Sequence, residues 1–295
     1  MITGLITPIL TPFHRDAEQS INYEGTKALV DHLIAAGVSG LFALGSNGEF
    51  AVLSYQEKID FVKKVIEFTA GRVPVYAGTG CCSTRETISL SREMEKLGVD
   101  GISVIAPYFV GLSEDEMYAH YAAVAGSVSI PVILYNIPRL TGNPLTPAVV
   151  ERLARIDNIT CIKDSSRDIE NLKAYIKIAA ENDMTVLIGS DSLILEGMKL
   201  GAHGAIAGLS NVLAHNLVAL YRAIVGENLD EAQGLQDSIK ELSAVNRKGT
   251  MPCVLKRSVE LANIADMGSA RLPVMEAGER LDADIREMLK HYAML

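Results

Sequence analysis

The chain has 295 residues, 48% of them hydrophobic, and a formal net charge of -9. That much apolar material can bury a large core and suits one barrel or two smaller domains. The acidic balance lacks the basic field that captures a phosphate backbone, which argues against a nucleic-acid partner.

Met1-Ile2-Thr3-Gly4-Leu5 carries no basic leader and reads as the first strand. No uncharged apolar stretch is long enough for a bilayer, so the expectation is a cytoplasmic protein with no membrane partner. Further strand-like runs begin near Gly40, Val73, Gly101, Pro131, Ile159, Thr185 and Gly204, each followed by an amphipathic segment. This alternation is how parallel βα units are written. Ser54 with Glu57 and Ser113 with Glu116 form capping-box pairs, and Thr146-Pro147 places a cap before a proline. Gly37, Gly98 and Gly201 close helices one, three and seven. Near-continuous hydrophobic strands such as Thr185-Val186-Leu187-Ile188 imply cover on both faces, as in a (β/α)8 TIM barrel. A doubly wound open sheet is the second choice. The barrel is expected over residues 1–225, with a C-terminal extension at 226–295 of three helices, interrupted near Gly249 and Pro273.

In a barrel, functional groups gather at the C-terminal ends of the strands. That rule brings Thr7, Pro8, Ser46, Tyr108, Phe109, Tyr135, Lys163, Ser190, Asp191 and Ser210 to one mouth. Lys163 stands out as the only cation in Ile159-Thr160-Cys161-Ile162-Lys163-Asp164-Ser165-Ser166. Burial disfavours the ammonium form and leaves a neutral amine able to attack a ketone, so Lys163 is the candidate nucleophile for a Schiff base. Tyr135, closing the strand Pro131-Val132-Ile133-Leu134, is the candidate proton donor and acceptor. The turn Gly45-Ser46-Asn47-Gly48-Glu49 offers backbone N–H groups and a hydroxyl for a carboxylate. Ser190, in Gly189-Ser190-Asp191, can hold polyol hydroxyls, and Asp191 can equally cap the next helix. Alternation turns Asp164 away from Lys163, toward a structural role.

Other chemistries find less support. Gly78-Thr79-Gly80 lacks the third glycine of a dinucleotide fingerprint. Cys81-Cys82, Cys161 and Cys253 lack the spacing of a zinc site and are too few for a disulfide scaffold, so no metal is expected. Cys81 and Cys82 are read as small residues filling the barrel end.

Taken together, GSNGEF at Gly45 to Phe50, YNIP at Tyr135 to Pro138, IKDSS at Ile162 to Ser166 and GAIAG at Gly204 to Gly208 resemble the dihydrodipicolinate synthase and N-acetylneuraminate lyase family of pyruvate-dependent class I aldolases. The resemblance runs over the whole chain. It implies that Lys163 forms the pyruvate imine, Tyr135 shuttles protons, Ser46 and its turn bind the carboxylate, and Ile206 lies near bound pyruvate. It also implies a homotetramer built as a dimer of dimers, and a covalent imine in place of a separate cofactor.

Departures from the family pattern bear on substrate. Members that make dihydrodipicolinate usually carry an arginine at the position of Leu140. Arg139 is adjacent and a candidate substrate contact, but a one-residue shift re-aims the side chain. Asn47, where synthases favour threonine, is similar to the 4-hydroxy-2-oxoglutarate aldolase branch. Phe109 replaces the tyrosine that the family usually offers across a dimer interface to a hydroxyl relay. The expectation is therefore a lyase that cleaves a 4-hydroxy-2-oxo acid to pyruvate and an aldehyde. The alternatives are condensation of pyruvate with aspartate semialdehyde, N-acetylneuraminate cleavage, or a 2-oxo acid binding barrel without catalysis.

Overall fold

Eight short apolar runs close on one another in chain order, each hydrogen-bonded to its neighbours in parallel and the last to the first. They are β1 (Gly4–Pro8), β2 (Gly40–Ala43), β3 (Val75–Gly78), β4 (Gly101–Ile105), β5 (Val132–Asn136), β6 (Ile159–Asp164), β7 (Thr185–Ile188) and β8 (Gly204–Ile206). This computed structural model describes residues 1–295. The expected TIM barrel is what forms.

Strand alternation sorts the core into two layers. Ile6, Phe42, Tyr76, Ile133, Cys161, Leu187 and Ile206 pack together inside the barrel. Their neighbours along the strands, such as Leu41 and Ala43 beside Phe42, belong to the outer core of 72 buried residues shared with the helices.

The intervening helices are α1 (Tyr23–Ala36), α2 (Tyr55–Thr69), α3 (Thr84–Leu97), α4 (Glu114–Ala125), α5 (Pro138–Thr141), α6 (Pro147–Leu153), α7 (Ile169–Glu181), α8 (Ile194–Lys199) and α9 (Ala214–Val225). Both capping boxes form, at Ser54 with Glu57 and at Ser113 with Glu116, and Thr146 caps α6. Gly37 and Gly98 close α1 and α3 in left-handed conformations, and Gly201 follows α8.

The remaining helices are α10 (Leu229–Ser238), α11 (Lys240–Asn246), α12 (Cys253–Leu261) and α13 (Glu279–His291), four where three are expected. The additional break falls at Ile239, a buried residue with no glycine or proline beside it, so tertiary packing rather than a local breaker sets it. Val254, Leu255 and Val259 of α12 and Ile285, Met288 and Leu289 of α13 join the same outer core as the barrel.

Two expected mouth residues are elsewhere. Thr7 alternates with the inward Ile6, and its hydroxyl is 2.7 Å from that of Ser210 in a fully buried pair. Ser210 also donates to the Ala207 carbonyl at 2.6 Å, so both hydroxyls are spent on the fold. Of the adjacent cysteines only Cys81 is buried; Cys82 is exposed.

Candidate active site

The register between β5 and β6 pairs Tyr135 with Lys163 and Asn136 with Asp164. The first pair is inward and the second outward. Asn136 Nδ2 donates to Asp164 Oδ1 at 2.9 Å, while Asn136 Oδ1 accepts from the Leu145 amide at 3.0 Å. Asp164 also accepts from the Ser166 hydroxyl at 2.8 Å, and burial raises its carboxyl above the usual range. The outward pair therefore pins the two strand ends on which the inward pair depends, the structural role expected of Asp164.

Lys163 is 4% exposed, as is Tyr135. Its Nζ lies 3.9 Å from the centroid of the Tyr135 ring and 5.3 Å from that of Phe42, and it makes no ion pair or hydrogen bond with the protein. Room for it comes from Gly189, where a Cβ would fall 2.0 Å from Ser165 Oγ and 3.0 Å from Lys163 Cε. Ile206 of the inner layer and buried Ser190, next to Gly189, lie at the same end of β8 and β7.

The turn after β2 is bracketed by two non-glycine residues in the left-handed region, Leu44 at φ 58 and Glu49 at φ 57. Gly48 N–H donates to the Gly45 carbonyl at 3.0 Å and Glu49 N–H to the Ser46 carbonyl at 3.3 Å. The Gly48 amide is thus committed inside the turn, which removes it as a substrate donor. The amides of Gly45, Ser46 and Asn47 have no protein acceptor and remain available. Ser46 Oγ lies 3.4 Å from Tyr135 Oη, longer than the roughly 2.5–3.0 Å of a formed O–H···O bond. A carboxylate oxygen or water can draw the two together.

Asn47 packs over Gly208, where a Cβ would fall 2.6 Å from Asn47 Nδ2. Asp191 accepts from the Leu209 amide at 3.2 Å, next to the same glycine. Burial pushes its carboxyl up to about 6, partly opposed by the hydrogen bond from the Leu209 amide and then by nearby Lys163 and Arg167. Arg139 and Leu140 lie exposed on α5, and Arg139 makes no hydrogen bond or ion pair with the groups above. Phe109 is 96% exposed at φ 83 and lies outside the apolar cluster that holds Tyr135. Tyr108 packs instead against Ile105, Tyr135 and Ile137, edge-on to Phe50, with its phenol pushed upward by burial and then by the Cys82 thiol.

Three residues escape the sequence reading. Ser103 of β4 turns a buried, unpartnered hydroxyl into the small cavity it shares with Ser46, Phe50, Ile105 and Tyr135. A lone serine in Gly-Ile-Ser-Val-Ile is the signal for it. Glu49 sits inside the quoted turn, and its partner Lys256 on α12 is a single cation in Cys253-Val254-Leu255-Lys256.

The chain matches the Dihydrodipicolinate synthetase family over residues 1–292. It is 37% identical to a 4-hydroxy-tetrahydrodipicolinate synthase of Archaeoglobus fulgidus across 100% of both chains. Among solved structures, it superposes with a TM-score of 0.95 at 35% identity, over 100% of both chains, on YagE, a prophage protein from E. coli K12 of the dihydrodipicolinic acid synthase family solved with pyruvate. A monomeric dihydrodipicolinate synthase variant gives a TM-score of 0.95 at 27% identity, over 100% of this chain and 98% of that one. The family match over nearly the whole chain and these end-to-end relatives make this closed barrel a member of the dihydrodipicolinate synthetase family and a pyruvate-dependent carbon–carbon lyase of that family.

Proposed function

We propose that the protein cleaves a 4-hydroxy-2-oxo acid, of the 2-keto-3-deoxy sugar acid or 4-hydroxy-2-oxoglutarate type, to pyruvate and an aldehyde through an imine on Lys163. The observation that carries the reading is the Lys163–Tyr135 pair, with Nζ 3.9 Å from the ring centroid and no competing partner. The Lys163 amine attacks C2 of the 2-oxo acid once it has given up its proton, and the carbinolamine hydroxyl leaves as water with a proton from Tyr135. The protonated imine then accepts the electrons of the C3–C4 bond as the 4-hydroxyl returns a proton to the tyrosinate, releasing the aldehyde. The enamine takes a proton from Tyr135 on C3, and water then hydrolyses the imine, returning a proton to the tyrosinate and freeing pyruvate and Lys163. The free amides of Ser46 and Asn47 and the Ser46 hydroxyl hold the carboxylate. Asn47, Ser190 and Asp191 are the groups offered to the distal hydroxyls.

The test is incubation with pyruvate and borohydride, which should add a stable mass to the peptide containing Lys163 and none in Lys163→Ala. A panel of 2-keto-3-deoxy acids, read by lactate dehydrogenase, identifies the substrate. Labelling at another lysine overturns the mechanism. Labelling at Lys163 without pyruvate release from any acid overturns the cleavage reading.

A second reading, condensation of pyruvate with aspartate semialdehyde, is favoured by the name of the Archaeoglobus fulgidus relative. Against it stands the exposed Leu140, where the family's arginine would draw in the second carboxylate. Leu140→Arg should improve use of the semialdehyde. A wild-type enzyme that prefers the semialdehyde over every 4-hydroxy-2-oxo acid decides for this second reading.

Residues 1–225 are proposed as the catalytic barrel and 226–295 as its extension. An almost fully exposed phenylalanine in a left-handed conformation suits a residue buried by another subunit, in keeping with a homotetramer arranged as a dimer of dimers.

A further inference from the structure

We infer that Lys256, a residue of the C-terminal helix α12, sets the geometry of the carboxylate-binding turn and so acts as a positioning residue for 2-oxo acid binding. The inference rests on the functional reading above and extends it to a part of the chain outside the barrel.

Lys256 is 1% exposed, and all three of its donors are used. Nζ donates to Glu49 Oε1 at 2.9 Å, to the Thr11 carbonyl at 2.8 Å and to the Ser269 carbonyl at 2.8 Å. Each of the first two bonds leads into the turn. Glu49 is the turn's last residue; its other oxygen accepts from the Arg271 amide at 2.8 Å, and its own amide closes on the Ser46 carbonyl. Thr11 Oγ1 donates to the Gly48 carbonyl at 2.7 Å. Lys256 therefore grips the turn directly through a side chain and indirectly through the 11–13 loop. Phe13 completes the clamp, with Lys256 Nζ 4.1 Å and the Arg271 guanidinium 4.3 Å from its ring centroid.

Consequences follow for the three free amides. A carboxylate is held well only if those N–H groups already converge, because ordering them on binding would cost affinity. The turn keeps only two short internal bonds of its own, so the convergence depends on what fixes its far end. That end is Glu49, left-handed at φ 57 and tied on both carboxylate oxygens by the C-terminal region.

Lys256→Met alone would strand the Glu49 carboxylate in the interior, so the deciding variant is the double Glu49→Gln/Lys256→Met, which removes both charges together. Trapping by borohydride at rising pyruvate concentration is the readout. The double variant should show a native circular dichroism spectrum, label at Lys163, and need about ten-fold more pyruvate for half-maximal labelling. Thr11→Val keeps both charges and cuts only the bond to Gly48. It should raise the half-maximal concentration about three-fold and serves if the double variant does not fold. Arg257→Met is the control, since Arg257 lies on the same helix but pairs with Asp282 and Glu260. Its pyruvate dependence should match the wild type. Unchanged half-saturation in a folded double variant or in Thr11→Val overturns the inference, and so does an equal rise in Arg257→Met. Wild-type protein that fails to label at Lys163 overturns the functional reading instead.

Discussion

The molecule buries two lysines in opposite ways. Lys256 is surrounded by acceptors, with a carboxylate and two carbonyls within 2.9 Å of Nζ. Lys163 is buried almost as deeply but faces two aromatic rings and no acceptor. Burying a charge is tolerable only with partners, so a buried amine without them is held for chemistry while one with a full set is held for architecture. Burial alone does not separate the two; the inventory of partners does.

Removing each lysine tests the contrast most severely. Lys256→Met leaves the Glu49 carboxylate buried and unpaired and should cost about 3–5 kcal/mol of stability. Lys163→Met breaks no hydrogen bond or ion pair and removes only the longer-range influence on Asp191, so it should leave stability little changed while abolishing the pyruvate adduct. Urea unfolding of both variants decides this. Equal losses would mean that Lys163 has structural partners after all.

A second prediction concerns the tyrosine against which Lys163 rests. Tyr135→Phe keeps the ring that packs under Nζ but loses the hydroxyl, so turnover should fall by about 10²–10⁴ while the fold is untouched. Imine formation with pyruvate should slow without vanishing. A variant with wild-type turnover would move the proton transfers to another group, with Ser103 offering an unpartnered hydroxyl in the same cavity.

Phe109 sharpens the contrast from outside the cluster. In the proposed oligomer, a tyrosine here would offer a hydroxyl across the subunit interface to the Ser46–Tyr135 pair, which sits apart at 3.4 Å. Phe109→Tyr should raise turnover, by up to about 10²-fold, with little change in substrate affinity. The gain should be larger on a short substrate than on a polyol that supplies its own hydroxyl. Kinetics that are equal or slower on both make Phe109 a packing residue and remove the main argument for an inactive barrel.

The site was legible in the sequence where its parts are local. Lys163 announces itself as one cation in an apolar strand, and Tyr135 and Ser46 as polar residues at strand ends, because the barrel places those ends at one mouth. Pairings between distant segments leave no such trace. Glu49 and Lys256 are 207 positions apart, and Thr7 and Ser210 are 203 apart, so nothing near either residue marks its partner. Committed backbone groups are equally silent. The Gly48 amide reads as a free donor until the turn is seen to close on Gly45. The break at Ile239 is hidden for a related reason, since packing makes it without glycine or proline.

Asp191 lies between the two lysines in this scheme and carries the smallest expected effect. It has one bond, from the Leu209 amide, where Glu49 has a cation and an amide. Burial raises its carboxyl from the ordinary range near 4 to about 6. Between those values the folded protein holds a proton that the unfolded chain has released, so stability falls as pH rises through that window. Above it the folded state carries an under-compensated anion. Asp191→Asn keeps an acceptor for Leu209 and removes the charge, so it should stabilise the protein by about 1–3 kcal/mol at pH 7.5, and the gain should shrink to nothing near pH 4. Thermal unfolding of the two proteins across this range measures the difference directly. A variant less stable than wild type at pH 7.5 would mean that the Leu209 amide and the nearby Lys163 and Arg167 charges outweigh desolvation. Asp191 would then belong with Glu49 as a compensated anion, and Lys163 would have an electrostatic partner that its lack of hydrogen bonds conceals.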